Sequence, residues 1–421
     1  MLKKITFEIE TITPMFLAGA EQGKAELRAA SIKGLLRFWW RAVRSQSSIE
    51  TLRNEEAKIF GSSDEDVGGA RFTIRVTQPD KEPLPDFKKE IPDINNPVRY
   101  LLYSTVMNKR PYFPVGSKFK ILLSSRDENV LKIASASLWV LVYLGGLGTR
   151  SRRGAGNVSI TSLDDPDKIL SSAGIDFIPS EELVGWLRDN FEATKRLIAA
   201  EKSGFVSEYS NMSISRVVIS NSAFQDWKKA LQEIGGIFKE FRREKKVINR
   251  AVLGLPLKTV TARAGNDDIT RRCSPIIIKL LKAGTDYRWI VLRLAGEFLP
   301  EGGVIADGRG ASQKPDYGII DEFWAELKNK GQEHILSMPD TLKAITDKIK
   351  KGADPQKIIL FGSKARGDFH SRSDTDIAVE SDKPGGLSLN GAIDIVDLKK
   401  ADDRLKEKIN KEGVVIYERK G

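Results

Sequence analysis

Three groups of residues in this 421-residue chain carry side chains that could do chemistry. In the first, Lys33, Arg37, Trp40, Arg41 and Arg44 recur at three- and four-residue spacing within 29–44, which sets them on one stripe of a helix. Cations neutralise phosphates and an indole stacks on an unpaired base, so the stripe suits single-stranded nucleic acid. The same spacing also suits a solvated basic face with Trp40 half-buried at the core margin. The second group is a turn in which Gly145, Gly146, Gly148, Gly154 and Gly156 surround Arg150, Arg152 and Arg153, charge held on backbone that glycine lets approach a ligand. The third lies near the C-terminus. Gly362 and Ser363, with Arg366 behind them, open a helix whose amides could bind phosphate, and Asp374 and Asp376 follow two apart, on one side of a strand, as paired carboxylates for divalent cations.

The elements that position the first two groups can be traced in order. Residues 3–12 alternate apolar and polar as a half-buried strand does, and a loop rich in Gly and Ala then ends at Arg28. Ser31 is placed to cap the helix, and Ile32, Leu35, Leu36, Trp39 and Val43 form its core stripe. A short helix over 50–60, a strand over 71–77, an irregular excursion over 78–97 and a strand over 118–124 come next. The apolar run 129–144 has helical spacing and stops at Gly145 and Gly146, and 157–160 reads as a closing strand. The order β-α-β-β-α-β is that of a ferredoxin-like unit, with both helices on one sheet face and the other face free.

Composition narrows the chemistry. Lys and Arg outnumber Asp and Glu by 68 to 57, a net charge of +11 that favours an acidic partner, nucleic acid first. No apolar run reaches the length of a membrane span and the start reads as a strand, so a cytoplasmic protein without a membrane partner is expected. The one cysteine, Cys273, excludes an intrachain disulfide and reads as a buried small apolar residue. His334 and His370 are the only histidines, so residues 1–330 offer no imidazole for acid–base chemistry. His370 reads as an exposed turn residue.

The segments Ile12-Thr-Pro-Met-Phe-Leu-Ala-Gly-Ala and Glu26-Leu-Arg-Ala-Ala-Ser-Ile-Lys-Gly-Leu-Leu-Arg-Phe-Trp-Trp-Arg41, with the turn 145–156, resemble the RAMP superfamily of CRISPR proteins. Within it they are most similar to the subunit type that caps one end of the type III-B Cmr effector complex. The resemblance covers about residues 1–330. It implies binding near the 3′ end of the guide RNA and its target, beside other Cmr RAMP subunits and without a cofactor, with Arg28, Lys33, Arg37, Trp40, Arg41 and Arg44 lining the groove and Arg150, Arg152 and Arg153 closing over it. An endoribonuclease, as some RAMP proteins are, is the rival reading.

Residues 179–330 suit a second ferredoxin-like unit, with a helix over 181–202, a strand over 215–220, a helix over 224–243, a polar loop over 261–272, and strands from Ser274 and Tyr287, but no closing strand can be placed. Arg271 and Arg272 stand before the strand as RNA contacts or as ordinary exposed arginines. Two helices, near 318–330 and 339–351, lead into the tail. From residue 335 the tail resembles the minimal nucleotidyltransferases related to polymerase β, which implies Mg2+ and ATP, Gly362, Ser363 and Arg366 on the nucleotide, and Asp374, Asp376 and Asp394 as the metal-binding carboxylates. The acceptor would be a protein or RNA hydroxyl. In place of the helix many relatives have there, only 381–391 joins the strands carrying Asp376 and Asp394. The expected protein is α+β: ferredoxin-like units over 1–178 and 179–330, then a small nucleotidyltransferase-like α/β domain over 335–421.

Overall fold

The structure, a computed structural model, describes residues 1–62, 68–199, 203–382 and 392–419. The first unit runs β1 (Lys3–Thr11), α1 (Ala29–Arg44), α2 (Ile49–Phe60), β2 (Thr73–Val76), α3 (Pro97–Leu101), α4 (Tyr103–Met107), β3 (Lys118–Ser125), α5 (Glu128–Tyr143) and β4 (Val158–Asp164). Its sheet has the order β2-β3-β1-β4, the ferredoxin-like arrangement expected from the sequence. Inward residues of β1 (Ile5, Phe7, Ile9) meet Leu36 and Trp39 of α1 and Leu131 and Leu138 of α5 in one core. The cap of α1 differs from expectation. Arg28 is already extended and the helix begins at Ala29, so Ser31 lies inside its first turn and Arg28 is the cap residue, without a side-chain cap bond.

α6 (Leu183–Ile198) leads into the second unit: β5 (Asn211–Ser220), α7 (Trp227–Glu244), β6 (Val260–Ala264), β7 (Asp267–Asp268), β8 (Ile276–Ala283), β9 (Asp286–Ala295), β10 (Val304–Asp307), β11 (Ser312–Gln313), α8 (Gly318–Lys328) and β12 (Gly331–Ser337). β12 is the closing strand the sequence did not reveal, and the order β12-β5-β9-β8 repeats the ferredoxin-like pattern. The stretch expected as a polar loop over 261–272 instead contributes β6 and β7 to a small separate sheet, β11-β10-β6-β7.

The second sheet is buried on both faces. Alternate residues Val217, Ile277, Ile290 and Leu292 join the core of α1 and α5, while Val218, Ile278, Trp289 and Val291 pack with Phe238 of α7 and Phe323 of α8. The helices of the first unit therefore lie between two sheets. That layering decides which of their side chains reach solvent.

The tail comprises α9 (Asp340–Ala353), β13 (Lys357–Phe361), α10 (Gly362–Arg366), β14 (Thr375–Glu380), β15 (Ile393–Asp397), α11 (Asp403–Glu412) and β16 (Val414–Glu418), with sheet order β15-β14-β13-β16. α9 covers one face through Leu342 and Ile349, and Ile409 of α11 covers the other. The short connection over 381–391 lies almost wholly outside the described residues. Among the described residues no helix is long and apolar enough to cross a membrane.

Two buried arginines tie the tail to the second unit. Arg216 on β5 donates to the Ala365 carbonyl at 3.2 Å and pairs with Glu333, and its neighbour Arg293 on β9 pairs with Asp321 at 2.6 Å and donates to the Arg366 carbonyl. Both thus satisfy carbonyls at the end of α10 that the helix itself leaves open. Ile214 and Ala295 of the second sheet complete the tail's own core, so the tail is docked rather than tethered.

Candidate nucleic-acid interface and tail site

α1 carries the cations as its spacing requires, but α2 lies over part of the stripe. Glu56 of α2 accepts from both Arg37 and Arg41, the latter at 2.7 Å, and Arg37 also donates to the Gly61 carbonyl at 3.0 Å. Arg44 pairs with Glu55 and donates to the carbonyls of Ile198 and Ala199 at 3.1 and 2.9 Å. Arg44 is thereby committed to the fold. Arg37 and Arg41 share one carboxylate and keep about a third of their side-chain surface in solvent, at 35% and 37%.

Trp40 corrects the expectation of a base-stacking indole. It is 2% exposed, with its ring 6.0 Å from that of Phe60, because α2 and the hydrophobic core occupy its sides. It offers no face to a base. The aromatic ring on the open side is Phe38, half-buried, with the Arg152 guanidinium 5.4 Å from its centroid. A helical wheel places Phe38 next to Gly34 and Arg41, a signal the sequence already held.

Arg28 and Lys33 remain. Arg28 is exposed and its guanidinium reaches the Ser31 hydroxyl at 3.4 Å, and among the described residues neither Arg28 nor Lys33 has a carboxylate partner. Partial burial, and then the charge of Arg37, hold the Lys33 ammonium below its usual range. Between them Gly34 is exposed, and a Cβ built there would meet nothing within 4 Å. The helix backbone is bare at the centre of its cationic side.

The glycine-rich turn is inward-facing, against expectation. Ile278 of β8 donates to the Arg152 carbonyl at 3.1 Å, so the turn extends the edge of the second sheet. Arg153 is 9% exposed and donates to the carbonyls of Leu253 and Ile276 at 2.7 and 3.0 Å, while Arg152 donates to Ser274 at 2.6 Å. Burial is the first cause that pushes the Arg153 guanidinium down to about 9. Neither residue is free to close over a ligand. Arg150 is half-buried and bonds the Ser104 hydroxyl at 2.8 Å. Gly148 and Gly156 take positive φ, and side chains there would collide with the Phe16 and Leu147 carbonyls; with Gly145, Gly146 and Gly154 they serve close packing. Arg272 is likewise held, by the carbonyls of Glu297 and Phe298, whereas Arg271 and Cys273 are exposed, contrary to the buried thiol expected.

In the tail, β14 and β15 run parallel with Asp376 opposite Asp394, so the register sets these two carboxylates, and Asp374 two residues before, on one face. Asp374 and Asp394 are exposed; Asp376 is half-buried and lies against Gly362, where a Cβ would collide with it. Burial first, with Asp394 and Asp374 adding, holds the Asp376 carboxyl above its usual range. Among the described residues no three His, Cys, Asp or Glu side chains converge to hold a metal ion. The three carboxylates share a face without meeting at a point. Ser363 is half-buried at the head of α10.

Glu412, which the sequence did not single out, is the partner of this turn: it accepts the Gly362 N–H at 3.0 Å and pairs with Arg366 at 2.6 Å. Arg366 is therefore engaged within the domain, with Asp368 as its second acid. His370 is also not the free surface residue expected. Its Nδ1 lies 2.8 Å from Glu297 of the second unit.

Comparison with known proteins agrees with both halves. Residues 8–159 match the RAMP superfamily and residues 343–421 match the polymerase beta nucleotidyltransferase family. The chain is 31% identical over 311 residues to the CRISPR system Cmr subunit Cmr1-1 of Pyrococcus furiosus, which spans 70% of this chain and 88% of that protein. It is 36% identical over 180 residues to Cmr1-2 of the same organism, 37% of this chain and 95% of that one. The crystal structure of apo Cmr1 from Pyrococcus furiosus superposes with a TM-score of 0.59 at 25% identity, covering 80% of this chain and 99% of that chain.

Proposed function

Because the chain belongs to the Cmr1 family of RAMP-superfamily subunits of type III-B CRISPR systems, we propose that residues 1–337 bind RNA without cutting it. The observation that carries this reading is the charge balance on the open side of α1. Arg28 and Lys33 have no carboxylate among the described residues, and Arg37 and Arg41 have one between them. A phosphate chain supplies the missing negative charge. The guide RNA near its 3′ end, with the target RNA paired to it, is the ligand in this reading, and other Cmr subunits are the protein partners.

The test is fluorescence anisotropy of the full chain with labelled single-stranded RNA over a salt series. Affinity should fall with salt, and the double substitution Arg28→Gln, Lys33→Gln should weaken binding and flatten the slope by about 1.4 for two lost phosphate contacts. Unchanged affinity and slope would reject the reading. The rival, an endoribonuclease, has no histidine in residues 1–330 to work with. Intact labelled RNA after incubation with and without divalent cation is the expected result.

A second reading, for the tail, is supported by the register of Asp376 against Asp394 beside the Gly362–Ser363 turn, and by the polymerase beta match. Here the tail binds a nucleoside triphosphate with Mg2+, and a hydroxyl on protein or RNA attacks the α-phosphate, so that the new phosphoester bond forms as the bond to the departing pyrophosphate breaks and the hydroxyl proton passes to solvent. Asp374, Asp376 and Asp394 do not converge as placed, so in this reading Mg2+ would have to draw the three carboxylates together, and would then neutralise charge on the phosphates. Label from α-labelled ATP should appear on an acceptor and vanish in Asp374→Ala. Calorimetry with ATP and Mg2+ reads binding independently of transfer, and absence of both signals would sink this second reading.

A further inference from the structure

Where the two RAMP units and the excursion between β2 and β3 meet, cations gather without acids. Arg150 and Arg153 come from the glycine-rich turn, Arg242 from the last turn of α7 and Arg250 from the segment after it. Among the described residues none of the four has an ion-pair partner, although most arginines of α1 and the tail do. Arg153 and Arg242 lie 4.8 and 5.4 Å from the ring centroid of the same Phe238, and Arg242 is 5.8 Å from that of Tyr100. The charges felt by Arg150, Arg153 and Arg242 come from one another, from Arg152 and Arg250, and from the Tyr100 phenol.

Two of these arginines have binding capacity to spare. The Arg242 Nε is buried and makes no hydrogen bond. Arg150 spends its Nε on Ser104 at 2.8 Å, and among the described residues its two terminal nitrogens have no protein acceptor. Arg153 donates to the carbonyls of Leu253, Ile276 and Arg152, and Arg250 to those of Lys245 and Arg243, so these two are turned toward the protein backbone. A half-buried cluster of like charges opposes folding unless an anion is present, and a forked guanidinium pair with a hydroxyl and a phenol beside it matches the oxygens of a phosphate.

We propose that Arg150 and Arg242, with Ser104 and Tyr100 beside them and Arg153 and Arg250 behind, form a phosphate-binding site at the junction of the two RAMP units. Its arginines are not the one on the open side of α1, where the Arg152 guanidinium stands over Phe38. The phosphate can belong to RNA or be a free anion. Only the first source rests on the RNA-binding reading above.

Two measurements on the full chain decide it. The first is the melting temperature in phosphate against chloride at equal ionic strength. Phosphate should raise it in the wild type and leave Arg242→Gln and Arg150→Gln unmoved; Ser104→Ala, a change too small to unfold the junction, should reduce the rise. The second is anisotropy with labelled single-stranded RNA, where Arg150→Gln, Arg242→Gln should lose about tenfold in affinity and about 0.7 in salt slope for one phosphate contact. A phosphate response without an RNA effect assigns the site to a free anion, and an RNA effect in either case assigns it to RNA. If the wild type binds no RNA, the RNA reading fails and the phosphate arm alone decides. No phosphate response, with RNA affinity and slope unchanged in the variants, overturns the site.

Discussion

The guanidinium of Arg153 donates to the main-chain carbonyl of Leu253 at 2.7 Å, across 100 residues of sequence and from one RAMP unit to the other. The glycine-rich turn is thus a clasp. Its glycines let the backbone press into the seam, and its arginine satisfies carbonyls that no strand reaches.

Arg153→Ala should therefore cost stability. It strands the carbonyls of Leu253 and Ile276 in a buried seam, a loss of about 3 kcal/mol or more. Urea unfolding of the full chain reads this as a lower midpoint. A change below about 1 kcal/mol, the scale of a surface contact, would show that the clasp does not hold the units.

Trp40 offers a cleaner separation of structure from ligand. Its buried ring makes Trp40→Ala a core truncation, costing about 3–5 kcal/mol. Trp40→Phe keeps an aromatic against Phe60 and should leave RNA affinity within about twofold. A large loss of affinity in Trp40→Phe, with stability retained, would return the indole to the binding surface.

How far the sequence carried this far depends on the range of each contact. The order β-α-β-β-α-β and the extent of α5 were legible, because a 3.6-residue apolar period and its stops are local signals. The burial of Trp40 and Arg153 was not, since nothing near either residue records that α2 packs over the one and the edge of the second sheet over the other. Gly331–Ser337 escaped notice because it mixes Gln, Glu and His with few apolar residues, and only its pairing with β5 makes it a strand. Glu412 and the Glu297–His370 pair join segments that are distant in the chain, beyond any periodicity. Gly34 and Phe38 were readable on the wheel.

Arg293 and Asp321, 2.6 Å apart and both nearly sealed from solvent, join β9 to α8 within the second unit, and the same Arg293 guanidinium reaches the tail at the Arg366 carbonyl. Removing one partner leaves the other charge buried: Arg293→Met should cost about 3–5 kcal/mol, and adding Asp321→Leu should restore much of it. Arg293 also caps α10, so the single variant should expose the tail to limited proteolysis before the RAMP units. Simultaneous cleavage of both parts would mean that the docking does not depend on this pair.

Lys279 makes stability depend on pH. Fully buried, it donates to the carbonyls of Val142 and Gly145 at the end of α5, and burial pushes its ammonium well below the usual range. The unfolded chain keeps that proton up to about pH 10.4, so between the folded and unfolded values the unfolded state binds more protons and stability rises with pH. Above about pH 10.4 the contribution is flat. Lys279→Met should remove the rise that ends at about pH 10.4. Parallel curves for wild type and variant would reject the buried ammonium as its source.

Gly34 joins stability to binding in one residue. Glycine in a helix interior costs about 1 kcal/mol relative to alanine, and here no neighbour demands it, since a Cβ would meet nothing within 4 Å. Lys33, Arg37, Phe38 and Arg41 surround the bare backbone, so the use left for it is close approach by a ligand's own backbone. Gly34→Ala should then raise stability by about 1 kcal/mol in urea unfolding and lower RNA affinity, two effects of opposite sign from one methyl group. Gly34→Leu should deepen the loss of affinity without a fold defect, because the space around it is open. A stability gain with RNA affinity unchanged in both variants would show that nothing lies against the helix at this point and that the RNA runs elsewhere.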